Sequence, residues 1–289
     1  MSDVVLAERG QQRRITRRRP VWLSFGLLVP FTFVVLLCVA VWAPQWLSTL
    51  DPEAVDPNVI LLPPDGQHWF GTDELGRDLF SRVVYGTSQS LTIGIGATLI
   101  ASLGGIVLGT TAALAPRPIG RLLLRIIDIL LAFPEMLLAL LVIAVLGRGP
   151  GNTLLAVGLA SIAGYARLIR SQVLHIRLSG YVEHAVALGE HPWTIISRHI
   201  VPNAIRPLLI LATVGVGSSV LSASALSFLG LGVVPPAAEW GALLANGRNF
   251  LDIAPWTSLL PATVVALSVI SITLLGRRLQ TLLATGDLR

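Results

Sequence analysis

Two acidic residues within one apolar stretch are the first candidates for chemistry. Asp128 and Glu135 both fall in the run Leu122–Leu146, which is long enough to cross a membrane. A charge at the middle of a bilayer costs roughly 2.5–3.5 kcal/mol, so both acids must face protein or water. Their spacing, about two helical turns, would place them on one face of a continuous helix. For Asp128 we favour an ion pair with Arg125 or an arginine of a neighbouring helix. For Glu135 a substrate or ion path and a structural role remain equally open.

Other arrangements that carry chemistry have little support in the sequence. The cytoplasmic histidines lack the tight i,i+3 or i,i+4 pairing of common ligand sets, so we expect no metal site at His175, His184, His191 and His199. Ser227 has no adjacent histidine, and no G-x-S-x-G elbow occurs, so we predict no catalytic residue and no intramembrane enzyme. No GxxxxGK[ST] loop is present to hold a nucleotide. Energy from ATP would therefore have to reach the chain through a partner.

The composition predicts a membrane protein built from helices. Of the 289 residues 53% are hydrophobic and 13% are charged, against roughly 25% charged in an average soluble domain. The mean hydropathy is +0.74. A soluble fold of this length could not cover so much apolar surface, so lipid must cover part of it. The net charge of +5 is better explained by membrane topology than by nucleic-acid binding.

Apolar segments of about membrane length predict six transmembrane helices. The segments are Val21–Trp42, Ser90–Leu114, Leu122–Leu146, Thr153–Ile169, Ala204–Leu231 and Thr257–Leu275. They divide the chain into an Arg-rich N-terminus (1–20), a first helix (21–43), a loop (44–89), a five-helix core (90–279) and a tail (280–289). We expect small residues to allow close helix packing at Gly104, Gly105, Gly109, Gly215, Gly217, Ser218 and Ser219. Pro134 is expected to kink the third helix.

The distribution of arginine predicts the orientation of the chain. All 21 basic residues are Arg, and most of them fall at the N-terminus, in alternate loops and in the tail. The positive-inside rule assigns those regions to the cytoplasm. Only four arginines then lie outside, namely Arg77, Arg82, Arg148 and Arg248. Both termini are therefore predicted to be cytoplasmic, and the loop 44–89 to be extracytoplasmic.

A long polar stretch, Arg170–Pro202, falls on the cytoplasmic side of this topology. Tyr181–Leu188 reads as a short helix that Gly189 ends, and Pro192 starts a second short helix, Trp193–His199. Pro202 then precedes the next transmembrane segment. A compact pair of short helices that protrudes from a bundle indicates a docking feature.

Three stretches carry a resemblance to a known family. The run Glu183-His184-Ala185-x-x-x-Gly189, with Pro202 thirteen residues after the glycine, resembles the E-A-A-x3-G loop of ABC importer permeases. Its surroundings, Tyr165–Arg170 and Tyr181–Glu183, resemble the C-type permease of the dipeptide/oligopeptide/nickel branch, and the stretches His68–Asp78 and Ala225–Gly241 agree with it. The resemblance covers about residues 20–280. In this chain His184 replaces the second alanine of the loop, and His199 stands where the family often has an apolar residue.

The resemblance implies a type I ABC importer permease fold in a bacterial cytoplasmic membrane. It implies that residues about 181–200 form a coupling helix that docks in a groove on an ATPase. The residues implied for that docking are Glu183, His184, Ala185, Gly189, Pro192 and Pro202. The small side chains of Ala185 and Ala187 would keep the helix slim enough to enter the groove, and Gly189 would permit the bend.

The resemblance also implies a set of partners. These are a second homologous permease, two cytoplasmic ATPase subunits that hold ATP and Mg²⁺, and an extracytoplasmic substrate-binding protein. The chain itself is expected to bind no cofactor. The cargo stays open between di- or oligopeptides, nickel, a metallophore and another small solute. A secondary transporter driven by an ion gradient is the more distant alternative; it would favour midplane charges and internal repeats.

Overall fold

Every regular element in the part of the chain described by the structure is helical, as predicted. The structure is a computed structural model that describes the backbone of residues 21–285 and the side chains of residues 27–281. The predicted N-terminal region, residues 1–20, and residues 286–289 of the tail lie outside this range. The helices are α1 (Val21–Trp42), α2 (Leu79–Leu114), α3 (Arg117–Ala132), α4 (Glu135–Leu146), α5 (Pro150–Arg177), α6 (Gly180–Ala187), α7 (Pro192–Phe228), α8 (Trp240–Gly247) and α9 (Trp256–Thr285).

Four helices, α2, α5, α7 and α9, are long and apolar enough to cross a membrane. The pair α3 and α4 passes the same test when both are taken together as one bent span. In α1 the apolar stretch with described side chains, Leu27–Trp42, is shorter than a bilayer requires. The protein is a multi-pass membrane protein, while the predicted number of six spans stays a prediction.

Several helices extend beyond the apolar segments that predicted them. The clearest case is α2, which begins at Leu79 rather than near Ser90. Asp78 caps it, because the Asp78 carboxylate accepts the amide of Ser81 at 2.7 Å. Apolar length measures the thickness of lipid and not the length of a helix. The first eleven residues of α2 therefore looked like loop in the sequence.

Pro134 breaks the third predicted span instead of bending it gently. The axes of α3 and α4 meet at 96°. Proline offers no amide to continue the ladder, and Phe133 before it is extended, with φ −90° and ψ 141°. Asp128 therefore lies on α3 and Glu135 on α4. The expectation that the two acids share one helical face was wrong, because the helix is not continuous between them.

Close contact between α2 and α5 forms the centre of the bundle. A methyl group added at Gly109 would clash with the carbonyl oxygen of Ala166, and one at Gly105 would clash with Cβ of Tyr165. On the other side of α2, Gly94 lies directly against Val220 of α7. Lipid offers no hydrophobic drive for helix association. Close packing of backbones at small residues must stabilise the contact between helices instead. The predicted packing role of Gly105 and Gly109 is confirmed.

The bundle has two distinct ends. At the first, Leu114 of α2, Arg177 of α5 and Ile195 of α7 line one groove, and the turn between α6 and α7 protrudes there. We call this the elbow end, and residues 180–202 the elbow. At the other, the start of α2 meets the segment after α7, where Arg82 donates to the carbonyl oxygen of Pro236. We call this the loop end.

Gly109→Ala should destabilise the protein, because the new methyl group must push the α5 backbone away from α2. Overpacking of this kind costs about 1–3 kcal/mol. Gly164→Ala is the matched control, since a Cβ at Gly164 meets no atom within 4 Å. The midpoint of thermal unfolding in detergent measures both. Equal midpoints for the two variants would contradict the packing described here.

Candidate functional site

The elbow begins with a short helix that ends at a sharp turn. α6 starts after Ser179, whose carbonyl oxygen accepts the amides of Val182 and Glu183. It ends where Gly189 adopts φ +77°, a left-handed conformation that glycine tolerates without strain. The Gly189 amide donates to the carbonyl oxygen of Val186 at 3.0 Å and closes the turn. The helix end predicted at Gly189 is observed.

The second part of the elbow is continuous with a membrane span. Pro192 is the first residue of α7, and the amide of Trp193 lies 3.3 Å from Nδ1 of His191. Residues Ile195–Ile200 form a π-helical stretch, and the helix continues from it without interruption to Phe228. We expected Pro202 to separate a short helix from the next span, and this was wrong. The wider turn before Pro202 accommodates a residue that has no amide and a bulky ring.

The elbow has an inner face that packs and an outer face that is left uncovered. Val182 and Ala185 are buried against the start of α7 and the end of α5. The apolar side chains of the outer face are 59%, 83% and 70% exposed at Val186, Leu188 and Trp193. Ala185 therefore anchors α6 to the bundle. Of the two alanines that were expected to keep α6 slim, Ala187 is exposed and Ala185 is buried. The helical period places Ala185 on the inner side together with Val182.

The polar groups of the elbow differ in whether the chain itself satisfies them. Nε2 of His199 lies 3.1 Å from a Glu190 oxygen, and Nδ1 of His184 lies 2.6 Å from the carbonyl oxygen of Gly180. The Glu183 carboxylate is exposed and has no hydrogen-bonding or ionic partner among the described residues. Within the same residues no group of three metal-ligating side chains occurs. Glu183 is thus an exposed acid of the elbow that the described part of the chain leaves unpaired.

The two acids of the predicted third span have different surroundings. Asp128 forms an ion pair with Arg167 of α5, and both side chains are about half exposed. The predicted pairing of Asp128 with an arginine of a neighbouring helix is therefore confirmed. Glu135, the first residue of α4, accepts a hydrogen bond from the hydroxyl of Ser161 on α5. Arg167 and Ser161 place both acids against α5, on the same side of the bundle.

At the loop end, buried charges hold the start of α2. Asp73 accepts from Nε of Arg77 at 2.7 Å, and Nε of Arg82 lies 3.5 Å from the same carboxylate. Asp78 pairs with Nδ1 of His68 at 2.9 Å. Asp73, Asp78 and both arginines are almost completely buried. The sequence assigned His68 and Asp73 only to the loop 44–89. Asp73 and Arg77 lie in a turn and not in a helix, so their i,i+4 spacing did not identify the pair.

A buried acid links this network to the segment after α7. Glu239 is 1% exposed and caps α8 by accepting its first amides, and the hydroxyl of Ser90 lies 3.3 Å from the same carboxylate. The next residue, Trp240, is fully buried and donates from Nε1 to the carbonyl oxygen of Val83. The sequence alone assigned no role to either residue. Their contacts hold the segment after α7 against α2, which begins directly after the stretch His68–Asp78.

Residues 105–286 match the family model of the binding-protein-dependent transport system inner membrane component. The chain belongs to this family. Over 288 residues the permease is 38% identical to the probable D,D-dipeptide transport system permease protein DdpC of Escherichia coli, covering 98% of this chain and 96% of the relative. It is 39% identical to the dipeptide transport system permease protein DppC of Alkalihalophilus pseudofirmus, with 88% and 83% covered. It is 41% identical to the glutathione permease GsiD of Escherichia coli O6:K15:H31, with 86% and 82% covered.

Solved structures of ABC importers share the fold of the permease. The MetNI methionine transporter in an inward-facing conformation aligns with 68% of this chain and 94% of its own, with a TM-score of 0.57 and 18% identity. An amino acid ABC transporter with histidines aligns with 70% and 92%, with a TM-score of 0.54 and 18% identity. The ABC importer permease fold is therefore confirmed. The permease is a non-catalytic membrane component, and ATP is hydrolysed on separate subunits.

Asp73→Asn should destabilise the permease strongly. Asparagine keeps an oxygen for the amides of Leu75 and Arg77 but removes the buried carboxylate that faces Arg82. Arg77 is then left with the less buried Glu74, at 3.4 Å, as its ionic partner. Breaking a buried pair in this way costs about 3–5 kcal/mol. Thermal unfolding of the purified protein in detergent measures the loss.

The matched control for this prediction is Asp65→Asn. Asp65 is exposed, and its pKa is lowered by hydrogen bonds from the amides of His68 and Gln67 rather than by an arginine. We expect the unfolding midpoint of this variant to stay close to that of the wild type. A loss as large as that of Asp73→Asn would show that charge burial does not set the stability of the loop end.

Proposed function

We propose that this permease forms one half of the translocation pore of an ATP-driven importer for di- and oligopeptides. Support for the cargo comes from relatives named for dipeptide, D,D-dipeptide and glutathione transport. The match to these relatives extends over most of both chains, so it includes the membrane spans as well as the elbow. Peptides are therefore favoured over nickel or metallophores as the cargo.

We propose partners that fit this assignment. A second homologous permease completes the pore, two cytoplasmic ATPase subunits carry ATP and Mg²⁺, and an external binding protein delivers the cargo. The chain itself binds no cofactor. The permease lies in the bacterial cytoplasmic membrane with both termini and the elbow end inside and the loop end outside. Arginines near the elbow, namely Arg170, Arg177, Arg198 and Arg206, support this orientation.

The elbow is the proposed contact with the ATPase. Val186, Leu188 and Trp193 offer exposed apolar surface, and Glu183 offers a carboxylate without a partner in the described chain. A groove with apolar walls and a basic rim would match both features. Burial of Ala185 fixes α6 to the bundle, so that a force on the outer face acts on the whole elbow.

The single observation that carries the proposal is the continuity of α7. The helix begins at Pro192 in the elbow and reaches Phe228 at the loop end without a break. From about halfway along, α7 lines a cavity that it shares with α4 and α5, through Leu211, Ser218 and Ser219. A displacement of the elbow therefore moves a wall of the cavity as part of a rigid body. The Gly189 turn, Pro192 at the start of α7 and Pro202 about three turns later set the direction of that displacement.

Gly189→Pro should leave the permease in the membrane but abolish peptide uptake. Proline fixes φ near −65°, far from the observed +77°, and removes the amide that donates to Val186. The outer face of the elbow would then point in another direction. Peptide uptake and ATP hydrolysis, measured with the complete complex in proteoliposomes, report the loss of coupling.

Gly180→Pro is the matched control for the turn. Gly180 is the first residue of α6, Ser179 before it is already extended, and no atom lies within 4 Å of a Cβ at this position. Uptake should persist in this variant. Normal uptake with Gly189→Pro would contradict the coupling role of the elbow.

Glu183→Ala should reduce uptake without changing the amount of permease in the membrane.

The cargo is tested on the reconstituted complex with its own binding protein. A dipeptide should stimulate ATP hydrolysis and accumulate inside the vesicles only when ATP is present. Stimulation of ATP hydrolysis by a nickel chelate and not by the dipeptide would contradict the proposed cargo. Accumulation of the dipeptide driven by a proton or sodium gradient without ATP would contradict the assignment as an ATP-driven importer.

A further inference from the structure

A cavity of about 370 Å³ opens where α3 meets α4, and its other walls come from α5 and α7. This volume lies within the range of sites that hold small molecules. The cavity contains one carboxylate, that of Glu135, together with polar groups from Ser161, Tyr165, Ser218 and Ser219. Apolar side chains, among them Leu138 and Leu211, form most of the remaining wall.

This face of the bundle does not have the character of a lipid-facing surface. On α5 the residues that follow the cavity toward the elbow are at least partly exposed and mostly polar, at Ser161, Gly164, Arg167, Ser171 and His175. The exposed face of α2, by contrast, is an apolar stripe at Ile95, Leu99, Leu103 and Val107. Charged side chains in membrane spans face the interior of an assembly or a water-filled path. The cavity therefore belongs to the side of the permease that faces the proposed pore.

Glu135 is the charge in this cavity that the described chain does not neutralise. Its partner among the described residues is the neutral hydroxyl of Ser161, whereas Asp128 nearby is balanced by Arg167. A carboxylate has about four acceptor positions, and one hydroxyl occupies a single position. The site therefore favours a cation with several N–H donors.

We propose that Glu135 contacts the α-ammonium group of the peptide during its passage through the pore. This inference rests on the proposed function. Peptides differ in their side chains, but an unmodified linear peptide carries an α-ammonium group with three N–H donors at one end. A contact with that group would let one pore accept many sequences. The nearby apolar wall leaves room for side chains without selecting among them.

The contact must be weak for transport to proceed. A site on a conduction path has to admit its cargo and release it, so strong fixation would slow the cycle. A single carboxylate with one supporting hydroxyl, at the wall of an open cavity, meets this requirement better than a closed set of charges. Selection of the cargo would remain with the binding protein.

The first test compares Glu135→Gln with Glu135→Asp in the complete complex. Glutamine keeps the size of the side chain and removes its charge, whereas aspartate keeps the charge. We expect Glu135→Gln to lower dipeptide uptake about tenfold, while Glu135→Asp retains most of it. The yield of the complex should stay unchanged in both. Equal uptake by the two variants would overturn the proposal, as would a Gln variant that fails to assemble while the Asp variant assembles.

A second test measures the charge of the cavity without relying on transport. Cys38 is the one cysteine of the chain and is exposed, so Cys38→Ser provides a background without thiols in this subunit. Gly164→Cys then places a thiol on the cavity wall, where a side chain meets open space. In the complex a cationic thiosulfonate should react with it about tenfold faster than an anionic one, after correction for the intrinsic rates of the two reagents with a free thiol.

Glu135→Gln should abolish this difference in rate. A ratio that Glu135→Gln leaves unchanged would overturn the charge assigned to the cavity. Failure of the wild-type complex to transport any peptide would overturn the proposed function instead. The thiol measurement would still report on the charge of Glu135 in that case, so the two failures are distinguishable.

Discussion

Close contact between the backbones of α2 and α5 is the constraint on which the rest of the structure depends. Gly105 and Gly109 of α2 lie so near Tyr165 and Ala166 that no side chain fits between the two helices. In lipid such packing replaces the hydrophobic drive that assembles soluble proteins. Because α5 is fixed against α2, its opposite face is free to carry polar groups and to form one wall of the cavity.

The same frame connects the two ends of the permease. α7 packs on α2 through Gly94 and Val220 and on α5 through Gly215 and Tyr165. It also begins in the elbow, so an event at the elbow end reaches the cavity through one continuous helix. At the loop end, Glu239 and the charges around Asp73 hold the start of α2 rigidly. A fixed loop end and a continuous helix that starts in the elbow are compatible with a permease that opens and closes by rigid-body movement.

The sequence predicted best what neighbouring residues decide. Apolar length predicted the bounds of α1, and a residue that is free to adopt positive φ predicted the helix end at Gly189. The missing amide of Pro134 predicted a kink at that position. Contacts between distant segments could not be predicted from the sequence. Nothing local shows that Glu239 caps a helix beside Ser90 or that α7 continues through Pro202. The size of the bend between α3 and α4 also depends on packing, which is why Asp128 and Glu135 were wrongly placed on one face.

The central claim is that the elbow is in contact with an ATPase in the working transporter. The most direct measurement is photo-cross-linking from position 188, since Leu188 is 83% exposed on the outer face of the elbow. A photoreactive residue there, in the complete complex, should capture an ATPase subunit, whereas one at Val145, which is 78% exposed near the loop end, should not. Capture of the external binding protein from position 188, or no capture of an ATPase in an intact complex, would contradict the account.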